Sequence, residues 1–547
     1  MSSKLTDSTT PPVTPWRWSA RTFQIGCLTL VLILAFVLRW QAADHAYIAQ
    51  WDEAYHALVA KNFLSHPLVP TLRDELLFPV DYKIWTDNHI WLHKPPLAPW
   101  LMAVGLAVLG TEHEVALRFP SVLLGTLAVL LTFLLAKELF RRTSGSVPKS
   151  SVYVEPAVVA GLVASLFHAL SPLHIRLISG TVPTDQVDAI ASFFVELAFL
   201  LFLVAARRES WRLSALAGVV LGAGYLTKSI PSLLALAAAL PVFYKGRGRW
   251  RVTVVLLLVT LAAFAVTALP WQVYCALRWP AEAAWESSYT WRHLVEAVEG
   301  HDYLWTFYLE LIPVHLGGFP LVAYVLVLIA LFPALLVAIR RRDAVIGAVL
   351  LWAVIPYIVF SLTATKLYSY VAPALPAIYL LVGWAIGTLI ENARQRSAQG
   401  RTSGYTRAAL AGLLAVVACY VLPVAVERVR ADYSMCPWNN LYDYPMFRTK
   451  LIAIASRPGK KALFNVGDGK QIQAMFYTGA PAYEYVPNEA QARDLQAKGY
   501  ALYFLADGLH TNFDRLTLLA KAGLILRKNL LFIPPPPEPM RTNPYLN

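Results

Sequence analysis

The chain has 547 residues, of which 57% are hydrophobic and 15% charged; 47 Lys and Arg face 34 Asp and Glu, for a net charge of +13. A soluble domain averages about 45–50% apolar residues, so this composition, with a mean hydropathy of +0.50, excludes a soluble globular fold. The basic excess lies in short clusters between apolar runs. That pattern excludes a nucleic-acid-binding face and marks membrane topology instead. Cys27, Cys275, Cys419 and Cys436 have no CxxC or metal-ligand spacing, so neither a disulfide framework nor a zinc site is expected. A single Cys275–Cys436 bridge stays open, because both fall outside the bilayer on the same expected face.

Residues 1–21 form a polar cytoplasmic amino terminus with Pro11, Pro12 and Pro15, and the apolar run that follows lacks a small-residue cleavage site. It reads as an uncleaved first span rather than a signal peptide. Runs long enough to span, about 20 residues each, occupy residues 22–40, 116–139, 152–172, 185–206, 251–271, 317–339, 344–363, 369–390 and 407–425. The apolar stretch 214–244 is interrupted by Thr227-Lys228-Ser229 and Pro231, which predicts two short spans in a hairpin. The total is about eleven spans. With the amino terminus inside, Arg141-Arg142, Arg207-Arg208, the basic run 245–251, Arg340-Arg341-Arg342 and the run 394–407 all fall on the cytoplasmic side. A single span over 214–244 would invert everything downstream.

The fold class expected is therefore an all-α multispanning membrane domain over residues 22–427 with three external segments: 41–115, 272–316 and 428–547. Within the first, residues 95–109 are apolar but too short to span and predict a helix lying along the interface. The tail from 428 to 547 changes composition. Strand-like runs at 462–466 and 501–505 and a helical stretch at 488–498 predict a small α/β domain, closed by a polyproline piece at 534–537. Gly467-Asp468-Gly469 lacks the further glycine and long helix of a dinucleotide fingerprint.

The candidate reactive residues cluster on the external side. Asp52 and Glu53 follow the first span directly, with Tyr55 and His56 behind them. Paired carboxylates at a membrane edge suit a general base or an electrostatic anchor, or, alternatively, a helix N-terminal cap. The run DYKIWTDNHIWLHKPP (81–96) mixes His89, His93 and Lys94 with aromatic rings. Aromatic faces suit a sugar or the membrane interface, and Lys94 suits a phosphate as a point charge. His89 and His93, four apart, leave a divalent metal open, although Pro95 and Pro96 oppose a continuing helix. Thr184-Asp185 opens the fourth span, where a helix cap is the plain alternative. Lys228 sits at the hairpin turn, and Lys366 with Tyr370 lies between two later spans. Snorkelling lysines are common at helix ends, but several on the face opposite the basic clusters run against the positive-inside rule. A lipid-phosphate-linked sugar donor needs such a face: cations for the leaving phosphate, a carboxylate for an acceptor hydroxyl, and apolar walls for a polyprenyl chain.

The ordered set formed by Asp52-Glu53, Lys94-Pro95-Pro96-Leu97, Ala116-Leu117-Arg118-Phe119-Pro120-Ser121, Thr184-Asp185, Leu226-Thr227-Lys228 and Lys366-Leu367 with Tyr370 resembles the multispanning glycosyltransferases of the GT-C fold. The likeness runs over residues 20–380 and points to the bacterial aminoarabinose transferases and protein mannosyltransferases. The resemblance implies that Asp52 is the catalytic carboxylate, with Glu53 and Asp185 beside it. Lys94, Lys228 and Tyr370, with Lys366, Tyr55 and His93 nearby, are then expected at the donor phosphate and sugar. It further implies a polyprenyl (undecaprenyl) phosphate sugar as donor, direct displacement, and an active site facing the periplasm from the bacterial inner membrane. The acceptor would be a lipid or glycan such as lipid A, with a protein acceptor as runner-up. Two positions depart from the aminoarabinose pattern: Tyr55, where an Arg usually falls, and His93, where a Glu usually precedes Lys-Pro-Pro. The resemblance calls for no cofactor and no nucleic acid. The rival class is a transporter, because intramembrane polar groups also mark substrate paths; internal repeats and midplane charges, which that class carries, are not expected here.

Overall fold

The computed structural model describes residues 20–111, 113–140, 155–182, 185–244, 249–398, 404–433, 444–467, 469–506 and 512–532. A first long helix, α1 (Ala20–Ala43), leads into an external segment carrying α2 (Asp52–Phe63) and α3 (Leu97–Leu109). The chain then continues through α4 (Glu114–Phe140), α5 (Pro156–Ala169), α6 (Pro172–Ile178), α7 (Asp185–Arg208), α8 (Trp211–Tyr225), α9 (Ser229–Phe243) and α10 (Trp250–Arg278). The second external segment holds α11 (Pro280–Val295), α12 (Phe307–Glu310) and α13 (Ile312–Leu316). It precedes α14 (Pro320–Arg340), α15 (Ala344–Leu362), α16 (Leu375–Ala398) and α17 (Gly404–Arg430).

Among the described residues seven helices are long and apolar enough to cross a membrane, and α5 with α6, bent by 43°, makes an eighth if the pair is one broken span. The chain is a multi-pass membrane protein. The stretch expected to form a hairpin folds as α8 and α9, each of 15 residues, joined through Thr227 and Lys228. Helix α16 starts only at Leu375, later than the expected residue 369, because Pro373 and Pro376 confine the preceding residues to a short 3-10 turn. The helices approach closely where side chains are small, as membrane packing requires. A Cβ on Gly218 of α8 would meet the Thr260 carbonyl of α10 at 2.2 Å, and one on Gly383 of α16 the Ala160 carbonyl of α5 at 2.3 Å.

Buried charges do occur within the spans, contrary to expectation, and their partners explain them. Pro172 has no N–H to donate to the His168 carbonyl four residues earlier. Ser171 N donates to His168 O at 3.2 Å in its place, and Arg39 of α1 braces the break: its Nη1 donates to Ala169 O and its Nη2 to His168 O, both at 3.2 Å. Glu196 of α7 accepts from Thr132 Oγ1 at 2.9 Å, beside His168. In hydrocarbon every freed backbone group must find such a partner.

The tail forms α18 (Tyr444–Ala455), β1 (Lys460–Phe464), α19 (Lys470–Thr478), α20 (Glu489–Ala497), β2 (Tyr500–Ala506), α21 (Phe513–Lys521) and β3 (Leu530–Phe532). Its parallel sheet runs β1-β2-β3, with Phe464 opposite Phe504 and Phe504 opposite Leu530. Asn488 and Gln491 close a capping box on α20. The third strand was not legible in the sequence, being only three residues long. This unit shares one apolar core with the first external segment, where Leu58, Phe63, Trp91 and Met102 pack with Phe447, Ile472 and Phe476. Gln473 Nε2 donates to Ile48 O at 2.6 Å, and Tyr477 OH to Glu114 Oε1 at 2.9 Å. The boundary expected at residue 428 therefore separates sequence segments but not cores. The polyproline piece and Cys436 lie outside the described residues, and Cys275 carries a free thiol.

Candidate active site

The polar residues gather where α2, α7, α9 and α11 meet. Trp51, just before α2, adopts φ 68° and ψ −122°, a left-handed backbone that costs a non-glycine residue about 1–3 kcal/mol. Its ring faces Gly469 at the start of α19, where a Cβ would come within 3.2 Å of it. The tail thereby holds the turn that presents Asp52 as the first residue of α2. Asp52 is partly exposed. Its charge acts on His93, Lys228, Glu299, His301 and Tyr370, so it lies near them.

Close by is a cleft lined by His93, Lys94, Lys228, Thr290, His293 and Tyr370, with Ile230, Pro231, Leu294 and Phe360 as apolar walls. Leu97 N donates to Leu226 O at 3.0 Å, tying the Lys-Pro-Pro turn to the hairpin turn and bringing Lys94 beside Lys228. Lys228 Nζ lies 2.6 Å from Asp188 Oδ1, whose carboxylate is fully buried, and 4.9 Å from the centroid of the Tyr370 ring. Burial pushes the Tyr370 hydroxyl above its usual range, keeping it a hydrogen-bond donor. Tyr55 stands behind the cleft, stacked on Trp91 at 6.1 Å.

Three expected site residues have other roles. Glu53 is fully buried and has no acceptor capacity left for a substrate. Its Oε1 accepts from Arg118 Nε (2.6 Å) and Gln186 Nε2 (2.7 Å), its Oε2 from Arg118 Nη2 (2.9 Å) and Ala49 N (2.6 Å), and a carboxylate offers about four lone-pair sites. Glu53 thus anchors α2 to α4. Asp185 is likewise fully buried; its Oδ2 accepts from His56 Nδ1 at 2.8 Å and its Oδ1 from Val187 N at 3.1 Å. It orients His56 and the start of α7 without reaching the cleft. Lys366 Nζ donates to Thr363 O at 2.7 Å, so this buried lysine closes the turn after α15. His89 and His93 share no helix, and among the described residues no group of three His, Cys, Asp or Glu gathers as a metal site.

Gly180, at φ +72°, leaves room for Glu53: a Cβ there would lie 2.3 Å from the carboxylate. Gly180→Ala should therefore destabilise the protein by about 1–3 kcal/mol, seen as a lowered melting temperature in detergent.

Sequence reading missed four groups. Asp188 lies three residues after Asp185 on α7, a spacing that puts both on one helix face. Glu286, His293 and Glu299 come from the second external segment, which carries no motif; only its density of acids and histidines in an apolar chain marked it. Tyr289 OH donates to Glu299 Oε1 at 2.9 Å. Burial raises Glu299, and it brings Glu286 up to about 7, with Lys94 opposing the rise.

The family model of dolichyl-phosphate-mannose-protein mannosyltransferases matches residues 93–271. An undecaprenyl phosphate-alpha-4-amino-4-deoxy-L-arabinose arabinosyl transferase 2 of Pseudomonas fluorescens (strain Pf0-1) is 28% identical over 389 residues, 68% of this chain and 61% of the relative. An arabinosyl transferase of the same donor in Pseudomonas aeruginosa (strain UCBPP-PA14) is 30% identical over 317 residues, 55% of this chain and 52% of the relative. The chain thus spans between 52% and 61% of the length of these relatives. Among solved structures, ArnT from Cupriavidus metallidurans bound to undecaprenyl phosphate superposes with a TM-score of 0.57 at 17% identity, covering 93% of this chain and 90% of that one. The archaeal oligosaccharyltransferase AglB from Archaeoglobus fulgidus, in complex with an inhibitory peptide and a dolichol-phosphate, gives 0.53 at 13% identity, with 88% and 69% covered. The chain has the GT-C fold. In sequence and architecture it is similar to the arabinosyl transferase and protein mannosyltransferase group of GT-C glycosyltransferases.

Proposed function

We propose that this chain is a membrane glycosyltransferase that moves a sugar from a polyprenyl phosphate, of the undecaprenyl type, to an acceptor on the periplasmic side of the bacterial inner membrane. The observation that carries the reading is the convergence of Lys94, Lys228 and the Tyr370 hydroxyl on one cleft with apolar walls from α9 and α15. Two cations and a hydroxyl suit a departing phosphate, and the apolar walls suit the prenyl chain. The names of the relatives agree with such a donor.

In the proposed step the acceptor oxygen attacks the anomeric carbon and the bond from that carbon to the phosphate oxygen breaks. The electron pair leaves with the polyprenyl phosphate; Lys94 binds that phosphate throughout, and Lys228 neutralises the charge that develops as it departs. Asp52 takes the proton of a hydroxyl acceptor, and a single displacement inverts the anomeric centre. A phosphate acceptor such as lipid A arrives ionised and needs no base. We favour a lipid or glycan acceptor. The match of residues 93–271 to a protein mannosyltransferase model supports a protein acceptor as the second reading. Periplasmic orientation is consistent with α7, which opens at Asp185 and closes at Arg207-Arg208, and an eleven-span count is consistent with α8 and α9 as paired short spans.

Mass spectrometry of envelope lipids, glycans and proteins from a strain lacking this chain tests the reading. One glycosylated species is expected to lose a single sugar mass, with its polyprenyl-phosphate sugar accumulating. An unchanged glycosylation profile in all three fractions would overturn it.

A further inference from the structure

Lys94 is held by a chain of hydrogen bonds that reaches into the second external segment. Lys94 Nζ lies 2.8 Å from His93 Nε2. An ammonium has only donors, so Nε2 must present its lone pair. Burial, reinforced by the Lys94 charge, keeps His93 well below its usual pKa, and the neutral ring then carries its proton on Nδ1. That N–H points at Glu286 Oε2, 3.3 Å away, in a pair whose side chains are 14% and 8% exposed. Trp85 and Tyr289 flank the imidazole, at ring separations of 4.2 and 6.1 Å.

We infer that Glu286, acting through His93, is a positioning residue for Lys94: the carboxylate fixes the imidazole tautomer, and the imidazole holds the ammonium at the cleft mouth where it meets the donor phosphate. The inference rests on the proposed role of Lys94. Without the carboxylate, Nδ1–H and Nε2–H tautomers compete, and in the second the ring turns an N–H toward a cation. Lys94 would then swing away, and donor affinity falls while the displacement itself, served by Lys228 and Asp52, keeps its rate once the donor is bound.

The test measures KM for a polyprenyl-phosphate sugar and kcat, using the full-length protein in lipid nanodiscs. Glu286→Ala and His93→Phe should each raise donor KM about tenfold, the size of one charge-assisted hydrogen bond, with kcat within about twofold of the parent. His93→Gln, whose amide can both accept from Lys94 and donate to Glu286, should restore KM to within about threefold of the parent. In a Lys94→Ala background Glu286→Ala should add nothing, because its effect passes through Lys94. Additive effects in that cycle, or a Glu286→Ala protein with unchanged KM, would overturn the inference while leaving the role of Lys94 standing. If Lys94→Ala alone leaves KM and kcat unchanged, the proposed phosphate contact fails first. His93→Gln guards against misfolding, since it keeps the same buried volume and polarity.

Discussion

Asp52→Asn is expected to lower turnover of a hydroxyl acceptor by about 100- to 10,000-fold, the span that a positioned general base contributes, while the protein keeps its melting temperature. The amide keeps the shape of the carboxylate and cannot take a proton. The neighbouring carboxylate does not rescue it. Glu53 spends both oxygens on Arg118, Gln186 and Ala49 and is sealed from the cleft. Glu299 is closer in function, because it shares the field of Asp52, yet one of its oxygens already accepts from Tyr289. The measurement is single-turnover transfer with purified donor, which separates chemistry from product release. A loss below about threefold would mean that no base operates, and with it that the acceptor arrives ionised as a phosphate. The size of the defect thus reports the acceptor class as well as the role of Asp52.

The adjacency of Asp52 and Glu53 in the sequence concealed how different their roles are. On a helix, successive residues point about 100° apart, so at the start of α2 Asp52 stays partly exposed while Glu53 turns to Arg118 of α4. Sequence order carried the long apolar helices, the turn between α8 and α9 and the first two tail strands, because hydrophobic period and breaker residues are local signals. It carried the Lys94, Lys228 and Tyr370 set through motif order. What it did not carry was pairing at long range. Arg118 meets Glu53 across 65 positions, and Glu286 meets His93 across 193. Nothing in a local window distinguishes a lysine that will face a cleft, such as Lys94, from Lys366, which turns back on its own Thr363 carbonyl. Asp185 was equally misleading: a carboxylate at the mouth of a span reads as reactive until His56 is found bonded to it.

Lys228 gives the second large effect, and it divides into two parts that a double substitution separates. Its ammonium lies 2.6 Å from Asp188 Oδ1, with side chains 11% and 0% exposed. Removing one partner of such a pair leaves an uncompensated buried charge, a loss of about 3–5 kcal/mol. Lys228→Ala alone is therefore expected to lower the melting temperature sharply and to purify poorly, so its lost activity would say little. Lys228→Met with Asp188→Asn removes both charges and keeps the volume; buried ion pairs replaced together are often neutral for stability. The double variant should melt close to the parent and still transfer sugar about 100- to 1,000-fold more slowly, the usual effect of removing one group that stabilises transition-state charge. Thermal melts and single-turnover assays on the same preparations check both parts. A stable double variant with parental turnover would reduce Lys228 to a structural partner of Asp188. It would leave Lys94, aligned by His93, as the cation that meets the leaving phosphate, and Lys94→Ala would then have to account for the whole electrostatic contribution at the cleft.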